Sequence, residues 1–367
     1  MRKGWEYKRL DECANIEYGT RVVQKKDSGT LYPVYGGGGE TFRMDKFNRE
    51  DCLIVARFAM SRRCVRFVNG KFFLNDSGLS VKAGDKLYQS YLNYNIISLN
   101  DDIYHLGKGA AQRNLDVKSF KKLTIAIPPQ STQLAIVSEL DKINELIRLK
   151  KEQLKDFDNL AQSLFYEMFG DPAENEKGWE VKKLGDISSI GTGSTPNRKN
   201  KDFYKNGTYP WVKSTEVCNL PIYSVEEYIT EEALKNSNCT LYPPNTILMA
   251  MYGQGKTRGQ IGLLKIEACT NQAVAAIMPT KEVVDEIFLS QHLMLMYEHI
   301  RNMARGGNQA NLNLSIVKSI QIFLPPLSLQ RLFAQRIEQI EREKSEVQKS
   351  IQDLETLLAS RMQYWFE

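Results

Sequence analysis

The chain has 367 residues, 42% of them apolar and 25% charged, with a formal net charge of +5. That length implies about two domains or more, and the apolar share builds real cores, which excludes a disordered chain. With no apolar run of about 18 residues and no leader with a cleavage site at the start, neither a membrane span nor a secretory signal is indicated, and the cytoplasm is the expected location.

The first half opens on a strand-like stretch, Gly4-Trp5-Glu6-Tyr7-Lys8-Arg9-Leu10, followed by Ile16 and Gly19. The glycine run "YGGGGE" (35–40) has neither a lysine partner nor a following helix signature, so it reads as a loop and not a phosphate cradle. Next comes "ARFAMSRRCVRFVNG" (56–70), where Arg57, Arg62, Arg63 and Arg66 crowd a strand-rich segment. The bidentate arginine fork suits phosphate or guanine, and structural ion pairing is the alternative. A turn containing Lys108, Gln112, Arg113 and Asn114 leads to the alternating strand Thr124-Ile125-Ala126-Ile127 and a Pro-Pro pair. Proline excludes helix before the pair and suits a helix just after it, with Ser131 as the expected N-cap.

The second half repeats this order. Gly178-Trp179-Glu180-Val181-Lys182-Lys183-Leu184 copies the opening at a shift of 178 − 4 = 174, which carries Ile16 to Ile190 and Gly19 to Gly193. "YPWVKSTEV" follows, with Lys213 as a basic candidate, and then "MAMYGQGKTRGQIG" (249–262). Gly255-Lys256-Thr257 imitates the end of a Walker loop, but Ala250 stands where the first glycine is required, and the continuation is strand-like instead of helical. The segment reads as a basic loop between two strands, with Tyr252, Gln254, Lys256, Thr257 and Arg258 as donors to phosphates or base edges. A solvated hairpin tip is the bland alternative.

"KGAAQRNLDVKSFKKLTIAIPPQSTQ" (108–133) recurs as "RGGNQANLNLSIVKSIQIFLPPLSLQ" (305–330) at a shift of 325 − 128 = 197, which holds to the chain end. Each half thus has matching ends and a divergent middle, longer in the second half by 197 − 174 = 23 residues. The repeated turn sets Arg305, Gln309 and Asn311 beside Lys108, Gln112 and Asn114, either for phosphate contact or to hold the domain on its helix.

Each half closes in a long helix, the second with Ser328 as the expected N-cap. Leu140, Ile147, Leu154, Ala161 and Met168 recur every seven residues, with Ile143, Phe157 and Leu164 beside them. The copies are Ile337, Ile351, Leu358 and Trp365, joined by Ile340, Val347 and Leu354. A seam with charged flanks sustained for about 35 residues reads as a coiled coil of roughly 50 Å, most simply an antiparallel pair with a globular unit at each end. The expected fold is α+β: two pseudo-symmetric globular domains at 1–129 and 171–327, separated by two long helices at 130–170 and 328–367. These two helical segments hold 11 Lys and Arg against 14 Asp and Glu, or −3, which leaves +8 on the rest and leans toward a polyanion partner.

No engine is visible. The six cysteines (13, 52, 64, 218, 239, 269) lie far apart and read as buried thiols; His292 and His299 lack further ligands, so no metal is assigned. The Pro-Pro pairs ("IPPQ", "YPPN", "LPPL") do not form an amino-methyltransferase motif, and neither a Phe-x-Gly-x-Gly nor a G-x-S-x-G sequence occurs. No catalytic residue is assigned.

The chain resembles the specificity (S) subunits of type I restriction-modification systems over essentially its full length. The resemblance is carried by "GWEVKKLGDISSIGTGSTPNRKNKDFYKNGTYPWVKSTEV", by "TNQAVAAI" (270–277), by "GGNQANLNLSIVKSIQIFLPPLSLQ" and by "FDNLAQSLFYEMFGDP" (157–172), in order within a duplicated frame. The first unit departs from the pattern, with "YPVYGGGG" for "YPWVKSTE". The resemblance implies a non-catalytic reader of a split double-stranded DNA site, one domain per half-site, with the paired helices as a ruler. It also implies docking to two methyltransferase subunits and to restriction subunits, which bring S-adenosylmethionine, ATP and Mg. The alternatives are a coiled-coil scaffold without DNA function and a stand-alone nucleotide-dependent enzyme.

Overall fold

A computed structural model describes residues 2–109, 112–253, 255–303 and 311–367 and divides into two compact units, Met1–Lys151 with Gln348–Glu367, and Glu152–Val347. The division falls inside both long helices, so each unit owns part of each helix as well as its own globular domain. No helix among the described residues is long and apolar enough to cross a membrane.

In unit one Glu6–Arg9 pairs antiparallel with Thr124–Ile127, and in unit two Glu180–Lys183 pairs antiparallel with Gln321–Leu324. The two sequence shifts, 174 and 197, are therefore the two sides of one strand pair. The repeated ends of each half are neighbours in space, which is why they repeat together while the middles diverge.

The main sheet of unit one runs in the order Ala14–Tyr18, Gly78–Ala83, Arg49–Ala56, Val65–Leu74, Tyr32–Tyr35 and Glu40–Met44. Unit two carries Ser188–Thr192, Val274–Pro279, Ile247–Ala250, Ile261–Leu264 and Pro221–Ile222 in one sheet, and Tyr228–Ile229, Tyr209–Val212 and Cys269–Thr270 in another. The strand before the departure at "YPVYGGGG" is shared, and the two units differ after it, with bends at 36–39 where unit two has a 3-10 helix at Ser214–Glu216. Val34 lies opposite Phe73 in a parallel pair, as Trp211 lies opposite Cys269, so Tyr32–Tyr35 is the same strand as Tyr209–Val212 at a shift of 209 − 32 = 177. Gly36 then stands where unit two has Lys213.

Gly19 and Gly193 mark a second shared device. Thr20 N donates to the Leu74 carbonyl at 2.9 Å, and Ser194 N donates to the Thr270 carbonyl at 3.0 Å. That approach leaves no room for a side chain, since a Cβ on Gly19 would overlap the Asn75 carbonyl and one on Gly193 the Thr270 carbonyl.

The long helices are Gln130–Phe169 and Leu327–Phe366, 40 residues and about 60 Å each. They start earlier than expected. Ser131 and Ser328 lie within the first turn and are not the N-caps, because the helices begin directly after Pro129 and Pro326, whose carbonyls accept from Gln133 N (3.0 Å) and Gln330 N (3.1 Å). A wholly buried glutamine then ties each helix to its domain. Gln133 accepts from Tyr88 N (2.9 Å) and donates to the Lys86 and Pro128 carbonyls (both 2.9 Å). Gln330 accepts from Asp285 N (3.0 Å) and donates to the Val283 (3.5 Å) and Pro325 (2.8 Å) carbonyls. Every partner is displaced by 197, so the gapless repeat extends back to residue 86.

The helices run antiparallel within unit one, where Glu139 pairs with Arg361 and Lys151 with Glu355. In unit two Lys344 pairs with Asp158 and Glu341 at 2.9 Å each. Leu140, Ile147, Ile337, Val347 and Ile351 are buried, while Leu154, Phe157, Leu164, Leu354 and Leu358 are half-buried. The stripe also serves the domains: Leu140 joins the core of unit one with Leu358, Met362 and Phe366 packed against it. Phe157, Ala161, Leu164 and Met168 pack on the core of unit two. Phe165 and Phe169, off the seven-residue stripe, are wholly buried there and meet Phe288 and Phe333. Cys64 and Cys269 are buried and Cys13, Cys52 and Cys239 half-buried; Cys218 is exposed, against the expectation of buried thiols.

Candidate nucleic-acid interface

In unit one the ladder between Arg49–Ala56 and Val65–Leu74 closes where Ala56 N donates to the Cys64 carbonyl at 2.8 Å. The chain beyond that bond carries Arg57, Arg62 and Arg63, while Arg66 lies in the strand Val65–Leu74, opposite Ile54. Arg57 lies over the Tyr18 (5.0 Å) and Phe58 (4.5 Å) rings and donates to the Asp76 carbonyl at 3.3 Å. Arg62 lies over Tyr104 at 5.5 Å, and Arg113 covers the same ring at 4.8 Å. Arg66 donates to the Gly37 (3.4 Å) and Arg63 (3.0 Å) carbonyls, so it bridges the glycine run and the loop. Burial, and after it the charge of Arg63, holds the Arg66 guanidinium below its ordinary value. Arg63 is exposed, and its guanidinium makes no hydrogen bond, ion pair or ring contact among the described residues. A depression of about 440 Å³ lies between Arg63, Arg66, Tyr35 and Phe67. Among the described residues no carboxylate pairs with these four arginines, which removes the ion-pair alternative and leaves a basic face interleaved with aromatic rings.

The equivalent ladder of unit two closes where Ala250 N donates to the Gln260 carbonyl at 3.0 Å. Its loop holds Tyr252 and Lys256, both exposed, with Thr257 and Arg258 half-buried; Gln254 lies outside the described residues. Arg258 Nε is buried without a hydrogen-bond partner among the described residues. After Thr257 the chain enters the strand Ile261–Leu264, so no helix N-terminus backs Lys256 as a phosphate cradle requires. Lys213 is removed from the loop's chemistry by two carboxylates, Glu226 at 2.7 Å and Glu227 at 3.1 Å, which raise its pKa in that order.

The duplicated turn is brought to the basic loop in both units. Leu115 N donates to the Arg57 carbonyl at 2.8 Å, and Leu312 N donates to the Met251 carbonyl at 3.1 Å. In unit one Lys108 pairs with Asp116 at 2.6 Å. That hydrogen bond, with two more from Ser119, pulls the Asp116 carboxyl down to about 2. Arg305 and Gln309 lie outside the described residues. Sequence reasoning missed the aromatic half of the face: Tyr18, Phe58 and Phe67 are exposed, and the Arg-Phe pairs that place Phe58 and Phe67 in "RFAMSRRCVRF" were the available signal for two of the three.

His292 is explained by packing. It is wholly buried among Phe165, Phe288 and Phe323, and neither ring nitrogen has a hydrogen-bond partner among the described residues. Burial pushes its pKa down to about 3, and the Pro172 backbone, which favours the charged ring, offsets only part of this. The folded pKa lies below the unfolded one near 6.5, so the unfolded chain binds the extra proton and stability is lost as pH falls from about 6.5 toward 3. The loss steepens below the unfolded pKa toward a limit of roughly 1 kcal/mol per pH unit. His292→Leu is expected to abolish it for unit two; melting curves from pH 7.5 to 4.5 that fall in parallel for variant and parent would refute the assignment.

The sequence pattern described as "Type I restriction modification DNA specificity domain" matches residues 2–156 and again 176–356. The specificity subunit of type I restriction enzyme MjaIX from Methanocaldococcus jannaschii is 22% identical, covering 90% of this chain and 85% of that protein. The EcoR124I/EcoR124II specificity subunit from Escherichia coli is 25% identical, covering 89% and 84%. The fold is shared with the S subunit of a type I restriction-modification system from M. genitalium (TM-score 0.59, 18% identity, 98% and 95% covered). It is shared as well with a chain from a structural study of type I complex assembly and conformational transition (TM-score 0.61, 17% identity, 100% and 98% covered). With both halves matched over most of its length, the chain belongs to the type I restriction-modification DNA specificity family and carries that family's domain twice.

Proposed function

We propose that each unit reads one half of a bipartite double-stranded DNA target through its basic hairpin loop, and that the chain delivers methyltransferase subunits to that site. The observation that carries this is the duplication of one device with different contents. The same sheet position, pinned to the same turn by an equivalent backbone hydrogen bond, presents Arg57, Arg62, Arg63 and Arg66 in one unit and Tyr252, Lys256, Thr257 and Arg258 in the other. A repeated frame with unlike loops suits two different half-sites on a pseudo-two-fold duplex. Partner docking is supported by the helices, whose Leu146, Leu149, Leu160, Leu332 and Leu357 remain exposed outside the buried stripe. S-adenosylmethionine, and ATP with Mg where restriction subunits join, are brought by those partners; this chain is the non-catalytic reader.

The test is co-expression with the cognate methyltransferase in a methylation-free host, followed by mapping of modified bases. A split motif with modified adenines that vanishes when this chain is omitted is the expected result. In that assay Lys256→Ala with Arg258→Ala should relax the second half of the motif and weaken DNA binding roughly 5- to 150-fold, the range of one good base contact, while the complex still assembles. An unchanged motif and affinity would remove this loop from recognition.

A further inference from the structure

Two short helices begin at repeat-equivalent places, Asn100–His105 and Tyr297–Met303, at the shift of 197 that also relates Gln133 to Gln330. The first residue of each reaches into the basic loop of its own unit. Asn100 Nδ2 donates to the Arg62 carbonyl at 2.9 Å, and its Oδ1 accepts from Cys64 N (3.1 Å) and Val65 N (3.2 Å). Tyr297 Oη donates to the Lys256 carbonyl at 2.6 Å. The residue four positions on completes an arginine–tyrosine pair in both units: Tyr104 lies under Arg62 and Arg113, and Arg301 donates to the Tyr297 hydroxyl with its guanidinium 5.2 Å from that ring.

The hairpins do not need these bonds to pair their strands, because the ladders already close at Ala56–Cys64 and Ala250–Gln260. What the bonds fix is the loop beyond the ladder. In unit two that loop contains Gly253, Gly255 and Gly259, all at positive φ, so its backbone has wide freedom of its own. A Cβ on Gly259 would press on Arg301 and Tyr297, so the loop is seated closely on this pair. The two units thus hold a basic residue's carbonyl from one helix position with different side chains.

We infer that Asn100 and Tyr297 are equivalent positioning residues, each setting how far the basic loop of its own unit reaches toward the bases. The difference between them is part of what makes the two units read different half-sites. The inference rests on the proposed reading that each unit takes one half-site. Neither residue touches DNA in this scheme; each acts through Arg62 or Lys256. Loss of a clamp therefore blurs base choice in one half only, and leaves the charge of the face, and with it the salt dependence of binding, as it was.

The experiment uses the full chain in complex with its methyltransferase subunits and a duplex library randomised in both half-sites. Tyr297→Phe removes a single oxygen and keeps the ring under Arg301. Asn100→Asp keeps the acceptor for Cys64 N and Val65 N, loses the amide donations to the Arg62 carbonyl (2.9 Å) and to Asp101 Oδ1 (3.0 Å), and adds one negative charge beside Asp101. The expected result is at least a fivefold loss of base discrimination in the second half for Tyr297→Phe and in the first half for Asn100→Asp. The other half should stay at parental values for both variants, and for Tyr297→Phe, which changes no charge, so should the affinity for non-specific duplex and the melting temperature. Parental discrimination in both halves, or equal blurring of both halves by one variant, would overturn the inference while leaving the bipartite reading intact. A parent complex that shows no preference in either half would overturn that reading, and the inference with it.

Discussion

Gly193→Ala is expected to unfold unit two while unit one still melts as in the parent. The added methyl would overlap the carbonyl of Thr270, a wholly buried residue in the strand Cys269–Thr270. That strand cannot retreat cheaply: Thr270 lies opposite Val212 in the parallel pair, Asn271 N donates to the Val212 carbonyl at 3.0 Å, and Ser194 N holds the Thr270 carbonyl itself. Relief requires giving up buried backbone hydrogen bonds on one side or the other, which with the overpacking costs about 3 kcal/mol or more. Gly19→Ala makes the mirror case in unit one, against the Asn75 carbonyl. Gly178→Ala separates space from backbone strain, since Gly178 has φ of 68° but no heavy atom within 4 Å of where the methyl would sit, and about 1 kcal/mol is expected there. Calorimetry should show one of the two transitions lost for each of the first two variants; a Gly193→Ala trace like the parent's would refute the packing argument.

The glycines also show what was legible in the sequence. Their recurrence at a shift of 174 was visible, and so was the frame, because strand ends that pair with each other repeat together. Hidden was the continuation of the repeat through the divergent middle. Ala56 corresponds to Ala250 at a shift of 194 and Cys64 to Gln260 at 196, since each pair closes the same ladder bond. The two extra loop residues in unit two broke the alignment across the segment that carries the proposed reading loops. The arginines of 57–66 stood out by their density, yet nothing in the sequence marked Asn100 or Tyr297. A backbone carbonyl leaves no side-chain signature, and the residues that hold it are unlike in the two halves. The seven-residue stripe gave the helix pair, but Phe165 and Phe169 follow the domain core instead of the seam, because the end of that helix is packed by the second domain. The burial of His292 among phenylalanines left no signal in the sequence.

Arg63→Ala is expected to weaken specific binding with no loss of stability, and to differ in this from Arg66→Ala. Arg66 bridges the glycine run to the loop through the Gly37 and Arg63 carbonyls, so its removal frees the loop as well as deleting a charge. Arg57 and Arg62 are likewise engaged with aromatic rings. Arg63 alone of the four has its guanidinium uncommitted among the described residues, and it lines the depression beside Tyr35 and Phe67. A cation with no partner in the free protein gives up no existing bond when it meets DNA, and its truncation disturbs nothing in the fold, so stability should stay within about 0.5 kcal/mol of the parent. Titrations of the complete methyltransferase complex across a range of salt distinguish two roles. A bidentate contact to guanine would cost roughly 5- to 150-fold in affinity for the target and nothing on non-specific duplex. A phosphate contact would weaken both alike and reduce the salt slope by about 0.9. Affinity and slope both equal to the parent's would show that the reading surface of unit one lies away from this depression, and would transfer the weight of recognition to the ring-stacked arginines on Tyr104 and Tyr18.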